Sequence, residues 1–371
     1  MSELPNIQGA GPNSTLTLSI LDQSPVSAGS TPADALQHSI ALARLADALG
    51  YHRFWMSEHH AMETLACTAP EIMLARLGAE ATRVRIGSGE IMLPHYSAFK
   101  VAEVFRMLHA LYPGRIDLGI GRAPGGGPIE TLALSRDRKR GVPDDFVDQV
   151  RELLAFLGAG GEGDFAFPAA HPFSQLRVSP AMPGGPAVWM LGSSMWSAVV
   201  AAQLGLPYSF AHFFSPVPTA QAISTYRSSF SPAGLCSRSE ATVAVGVICA
   251  DTAEEAAYLH SSVRLLQRRI RLGDRRPVAA PDVAINELRL MGEVSGQSPS
   301  AEEGEWPRYF VGTPETVRDT LLQMANALGI REVLVNTITW DPTARLHSYE
   351  LLSRAFRQQA VEHSAEPAVA L

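Results

Sequence analysis

Short apolar runs alternate with amphipathic stretches almost from end to end of the chain. Leu16 to Leu21 reads as a strand. Asp34 to Leu49 reads as a helix, with Leu42, Leu45 and Leu49 along one face and Gly50 as its stop. Arg53 to Ser57, Val84 to Ser88, Ile116 to Ile120, Val188 to Leu191, Tyr208 to Ala211, Val243 to Cys249 and Glu332 to Asn336 complete a set of eight strand-like runs. Helical stretches separate them: Pro70 to Ala81, Ala98 to Leu111, Asp144 to Leu157, Trp196 to Leu204, Thr219 to Ser229, Ala253 to Leu272 and Thr316 to Leu328, with His347 to Gln358 last. Strand followed by helix predicts a parallel sheet, because parallel neighbours need a crossover. An open doubly wound sheet gives the same alternation. The strand count and the 371-residue length favour closure into an α/β fold of the TIM (β/α)8 barrel type with insertions, in a single domain over residues 1–371.

Two stretches break the rhythm: 158–185, rich in Gly, Pro and Phe, and 275–306, which is polar. Both read as insertions rather than linkers, since long loops in compact domains usually carry a function. The second is expected to be a mobile lid, with Gly292, Gly296 and Gly304 as hinges, or else a surface excursion without a role. Residues 1–15 and 360–371 read as flexible tails.

Composition narrows the class. Hydrophobic residues make up 46% of the chain, enough for a large core. Lys and Arg total 30 against 37 Asp and Glu, a net charge of -7, and no basic stripe stands out, which argues against nucleic acid and against an anionic membrane as partners. Cys67, Cys236 and Cys249 are odd in number and far apart, so neither a disulfide framework nor a metal site is expected, and a reducing cytoplasm fits. Met1 to Asn13 lacks the features of a signal peptide, and no window approaches the roughly 20 apolar residues of a membrane span.

Four segments carry candidate chemistry. Trp55-Met56-Ser57-Glu58-His59-His60 closes the second strand. C-terminal strand ends face the active site of such a barrel, and adjacent strand residues point to opposite sides, so one of the two histidines aims into the mouth. A satisfied structural histidine is the plain alternative. Gly87-Ser88-Gly89-Glu90 ends the third strand, where glycines let a flat ligand approach the backbone, or serve only a bulge. Gly119-Ile120-Gly121-Arg122 ends the fourth. Pro124 spoils a dinucleotide fingerprint, and Arg122 is placed to hold a phosphate or to lie on a surface loop. Gly192-Ser193-Ser194 then leads from a strand into the helix at Trp196, an anion site or simply an N-cap.

In this order the segments resemble the bacterial luciferase-like flavin monooxygenases, from Leu18 to Phe356. Leu93-Pro94-His95-Tyr96, Pro113-Gly114-Arg115-Ile116-Asp117-Leu118-Gly119 and Phe310-Val311-Gly312-Thr313-Pro314-Glu315 add to the likeness. The resemblance implies a TIM barrel that binds reduced FMN delivered by a separate NAD(P)H-dependent flavin reductase. It implies dioxygen as co-substrate and a small organic substrate to be hydroxylated, epoxidised or opened by Baeyer–Villiger insertion. It is similar to members that tailor polyketide-type natural products, and a homodimer is compatible with it. By position, His59 matches the catalytic histidine, Arg122 a contact of the FMN phosphate, and Gly192, Ser193, Ser194 and Trp196 the phosphate cradle. Gly89 and Glu90 fall where the family often has a non-proline cis peptide under the flavin ring. Trp55, His60, Phe210, Phe213 and Trp340 are expected to line the organic pocket. The chain departs from the pattern twice: light-emitting luciferases have a reactive cysteine at the place of Gly121, and many relatives have glycine at that of Glu90. A deazaflavin-dependent hydride transferase and a non-catalytic flavin-binding protein are the alternatives.

Overall fold

A computed structural model of the chain describes residues 16–135, 145–158, 165–232, 235–293 and 306–365, with side chains to 357. In chain order the elements are β1 (Thr17–Asp22), α1 (Pro32–Leu49), β2 (Arg53–Met56), α2 (Pro70–Glu80), β3 (Arg85–Met92), α3 (Ala98–Leu111), β4 (Ile116–Gly121), α4 (Pro128–Leu134), α5 (Phe146–Leu157) and β5 (Ala187–Gly192). There follow α6 (Met195–Gln203), β6 (Tyr208–Ala211), α7 (Thr219–Ser228), β7 (Ala241–Cys249), α8 (Ala253–Arg271), α9 (Pro281–Leu290), β8 (Tyr309–Gly312), α10 (Pro314–Leu328), β9 (Glu332–Asn336) and α11 (Pro342–Ala365). Strands β1 to β7 pair in sequence, all parallel; β9 joins β7 to β1 and closes an eight-stranded barrel. The fold is a TIM barrel. β8 is a ninth strand outside the ring, paired with Gly246–Cys249 of β7. Its four residues are too few to show a period next to the polar stretch before them.

Local chemistry starts and stops the helices. Thr31 and Asp34 form a capping box at the head of α1, and Gly50 ends it in the left-handed conformation at φ 78°. Thr252 and Thr313 cap α8 and α10, their hydroxyls accepting from the amides of Glu255 and Thr316.

Alternation along the strands sorts the core into two. Ile20, Phe54, Met56, Ile116, Leu118 and Ile120 point outward and pack beneath the helices. Inside the barrel, the N-terminal end is plugged by ions: Arg53 donates to Asp117 (2.9 Å) and Glu332 (2.9 Å), Arg85 to Asp117 (2.5 Å), and the Trp55 indole N–H to Asp117 (3.0 Å). Above this plug lies an apolar layer of Leu21, Trp55, Trp189, Leu191, Ala244 and Leu334. The C-terminal end is left open above it.

The insertions differ from expectation. Within 275–306, Pro281–Leu290 is a helix, not a loop. Ala284 and Leu288 of α9 pack with Leu265 of α8, and Glu287 accepts from Arg269 at 2.7 Å. The packing of those three side chains and a partly buried ion pair tie Pro281–Leu290 to α8. Gly292 closes α9, while Gly296 and Gly304 lie outside the described residues. In the other insertion Phe167 packs edge-on to Phe156 of α5 at 4.9 Å; 159–164 lie outside the described residues. Of the expected tails, 1–15 and 366–371 also lie outside them, whereas α11 continues past 360 to Ala365. No described helix is long and apolar enough to cross a membrane.

Candidate active site

A cavity of about 1050 Å³ opens at the C-terminal strand ends, floored by the apolar layer. At the end of β2, successive residues turn to opposite sides. Glu58 is fully buried and accepts three hydrogen bonds: from His60 Nε2 (2.6 Å), the Tyr96 hydroxyl (2.6 Å) and the Met92 amide (3.0 Å). Burial and that bond to Glu58 push the Tyr96 hydroxyl well above its usual range. His59 instead faces the cavity. The Gln23 amide donates to its Nε2 at 3.4 Å, and its Nδ1 is buried with no partner. Desolvation, helped by His60, lowers its pKa to about 4, so the ring is neutral at pH 7.

β3 and β4 shift register between Ser88 and Ile91. This bulge turns Glu90 toward the cavity. Its carboxyl group fills the space above Gly121: a Cβ at position 121 would overlap it. Burial, together with nearby Glu58, raises its pKa to about 8. Gly89 lies as close beneath Leu21, and a Cβ there would also stand 3.3 Å from Trp55. The Gly89–Glu90 peptide is trans, which corrects the expected cis bond; the bulge takes up the irregularity instead.

Across the mouth, β5 runs through Gly192, Ser193 and Ser194 into α6. Ser194 Oγ caps the helix by accepting from the Ser197 amide at 3.4 Å. Ser197 Oγ donates back to the Ser194 carbonyl (2.8 Å) and pairs with the Tyr208 hydroxyl (3.0 Å). Only glycine fits at 192, since a Cβ would strike Ser197. The Arg122 guanidinium lies 3.8 Å from the Trp196 ring centroid, bringing a cation beside the first turn of α6. Gly192, Ser193, Ser194, Trp196 and Arg122 all line the cavity.

Residues 16–332 match the sequence profile of the luciferase-like monooxygenases. This chain belongs to the luciferase-like monooxygenase family. It is 35% identical to the N-acetyl-S-alkylcysteine monooxygenase of Bacillus subtilis over 92% of its own length and 98% of that protein's. The crystal structure of apo-MsnO8 superposes with a TM-score of 0.83 at 48% identity, covering 92% of this chain and 98% of the other. The oxygenating constituent of 3,6-diketocamphane monooxygenase from Pseudomonas putida, a type II Baeyer–Villiger monooxygenase solved with FMN, shares the fold at a TM-score of 0.68 and 20% identity, covering 93% and 98%.

In this luciferase-like monooxygenase the expected pocket residues divide. Trp55 and Phe213 line the cavity. His60 does not; its Nε2 is turned away to Glu58. Phe210 is fully buried in the outer core against Tyr208, because β6 turns its neighbours Ser209 and Ala211 inward. Trp340 is pinned at the surface, its indole N–H donating to the Ala28 carbonyl at 2.9 Å and its own carbonyl accepting from Ser27 at 2.5 Å. Among the residues missed are Gln23, two positions past the apolar run of β1, and the α8 face of Val263, Leu266, Gln267 and Ile270. A polar residue just beyond a strand end was a signal for Gln23. None pointed to α8, whose docking is set by tertiary packing.

Proposed function

We propose that this luciferase-like monooxygenase uses reduced FMN, delivered by a separate NAD(P)H-dependent flavin reductase, and dioxygen to oxygenate a small, largely apolar organic molecule. The observation that carries this reading is the polarity of the cavity. One end has a helix N-terminus with Arg122 beside it, the chemistry of a phosphate site; the floor is apolar and wide. The residues present fit FMN. Arg122, Ser193 and the first amides of α6 would hold its phosphate. Gly89 and Glu90 would back its ring, and the orphaned Nδ1 of His59 gives a polar ligand a partner in the cavity. The FMN bound to the diketocamphane oxygenase, a protein of the same fold, supports the choice.

Reduced FMN supplies the electrons by which one oxygen atom of dioxygen enters the substrate and the other leaves as water. The chain's own residues do the rest. His59, neutral at pH 7, holds or accepts a proton at its ring nitrogens. Trp55, Leu191, Phe213 and Leu334 keep the floor dry and orient an apolar substrate. The α8 face closes the far wall.

The test is an anaerobic titration of the purified protein with reduced FMN and, in parallel, with a reduced deazaflavin. Admission of isotopically labelled dioxygen then follows, with a panel of apolar substrates. Tight binding of reduced FMN and one labelled oxygen atom in a product are expected. Binding of the deazaflavin alone, with no oxygen consumed, would replace this reading by hydride transfer.

A further inference from the structure

We propose that Glu90, seated over Gly121 and facing the cavity, donates a hydrogen bond to an acceptor on the bound flavin ring, and that position 121 is glycine so that the carboxyl group can sit there. This rests on the flavin reading above and goes beyond it by giving a role to the two positions at which the chain departs from the family pattern.

The geometry comes first. Glu90 is carried on the bulge between β3 and β4, and its carboxyl group occupies the volume any side chain at 121 would take. Among the described residues it makes no hydrogen bond and meets no cation; Glu58 is the one charged group acting on it strongly. The cavity it faces is also lined by Leu21, Trp55 and Met92, and Leu21 and Trp55 pack against the preceding Gly89. A carboxylate without a partner in such a place is costly, and the group keeps its proton instead. The rise of its pKa to about 8 has the same cause. A protonated carboxyl group is a donor, whereas a carboxylate is not. The other titratable and charged groups about this part of the cavity are Glu58 and His59 at the end of β2, Tyr96 beyond β3 and Arg122 at the end of β4, with Arg271, Arg275 and Arg308 on the far wall. His59 is neutral at pH 7, so it does not ionise Glu90 there.

Glu90 and Gly121 are therefore one feature. The atoms nearest a methyl group at 121 are the far end of the flexible Glu90 side chain, so the fold survives while the carboxyl group is displaced. Glu90→Gln keeps the shape and a donor but cannot ionise. Glu90→Ala empties the site.

The experiment measures the affinity of the wild type, Glu90→Gln, Glu90→Ala and Gly121→Ala for dithionite-reduced FMN between about pH 6.5 and about pH 9.5, under argon. Wild-type affinity is expected to fall roughly 10- to 100-fold as Glu90 ionises, the scale of one hydrogen bond to a charged group. Glu90→Gln should bind at every pH as the wild type does at neutral pH. Glu90→Ala and Gly121→Ala should bind weakly at every pH, with unchanged circular dichroism. Wild-type affinity that does not vary with pH, or a Glu90→Gln variant that keeps the pH dependence, overturns the proposal. Infrared difference spectra of the ligand-free protein provide the second readout. A protonated-carboxyl band present at neutral pH and missing from Glu90→Gln supports the assignment; its absence from the wild type overturns it whatever FMN does. If the band is present but FMN binds at no pH, the flavin reading itself fails, and with it the ligand named for Glu90.

Discussion

A neutral imidazole with a vacant ring nitrogen is suited to shuttle a proton without carrying charge into an apolar cavity. His59 is in that state because burial lowers its pKa to about 4. His59→Ala is expected to reduce product formation about 10²- to 10⁴-fold, the usual worth of a general acid or base, with a far smaller change in reduced FMN affinity. Steady-state turnover beside a binding titration checks this; a loss confined to affinity would move His59 out of the chemistry. Arg122 acts on a different quantity. Arg122→Ala should weaken FMN binding by about 1.5–3 kcal/mol and leave riboflavin, which lacks the phosphate, unaffected. An equal loss for both ligands would separate Arg122 from the phosphate. The pairing of Glu90 with Gly121 belongs to this scale too. Each position alone reads as an oddity of the sequence; their contact makes them one.

The start of α6 shows how an element serves a site. Ser194 is the helix cap in the ordinary sense, and its hydroxyl is already engaged with the Ser197 amide. In the proposed function, phosphate binding at this turn would therefore rely on Ser193, backbone amides and Arg122. Gly192→Ala should disturb this turn, because the new methyl group collides with Ser197, which also ties α6 to Tyr208 of β6. A loss of about 1–3 kcal/mol in stability, as for other overpacked positions, and a weaker grip on FMN are expected in urea melts and binding assays. Near the mouth, Arg275 donates to Glu130 of α4 (2.6 Å) and to the Ala61 carbonyl (2.9 Å), joining three connections. Such a solvent-screened pair adds little to stability. Arg275→Ala should leave the melting temperature nearly unchanged and raise the hydrogen peroxide released per product, because water then reaches the cavity. Unaltered coupling would leave the bridge a surface contact.

At the scale of the molecule, the plug and the cavity pull in opposite directions. Asp117 is buried and bonded to Arg53, Arg85 and Trp55. Asp117→Ala removes the shared partner of two cations and should cost about 3–5 kcal/mol in denaturant melts. A cost under about 1 kcal/mol would mean that water replaces the pair. The two cavity groups contribute to the pH dependence of stability in opposite senses. Glu90 keeps its proton in the fold up to about pH 8, while the unfolded chain loses it near the model-compound value of 4.5, so stability falls as pH rises through that window. His59 stays neutral in the fold down to about pH 4, while the unfolded chain takes up a proton below 6.5, so stability falls as pH drops through that window. The two oppose each other between 4.5 and 6.5, where the buried His212 and His260 act in the same sense as His59; from 6.5 to 8 Glu90 acts in the same sense as His347, whose pKa is raised by Asp251. Glu90→Gln should therefore flatten the decline in melting temperature over that last interval; an unchanged slope would place its ionisation elsewhere.

The alternation of apolar runs and amphipathic stretches was enough for the eight barrel strands and their parallel order, because burial on both faces of such a strand leaves a continuous apolar run in the chain itself. Motifs at the strand ends likewise pointed to His59, Glu90, Arg122 and Ser193 in one mouth, since the fold brings every C-terminal strand end to the same side. Tertiary structure decided what depends on direction and on distant partners. The facing of β6 took Phe210 out of the pocket, and the hydrogen bonds of His60 and Trp340 took them elsewhere. The packing of α9 on α8 turned an expected loop into a helix, and the close approach of β3 and β4 set the Glu90 carboxyl group over Gly121. A sequence records which groups a chain has to bury; which of them meet depends on strand register and helix docking, and those are settled only when the whole core closes.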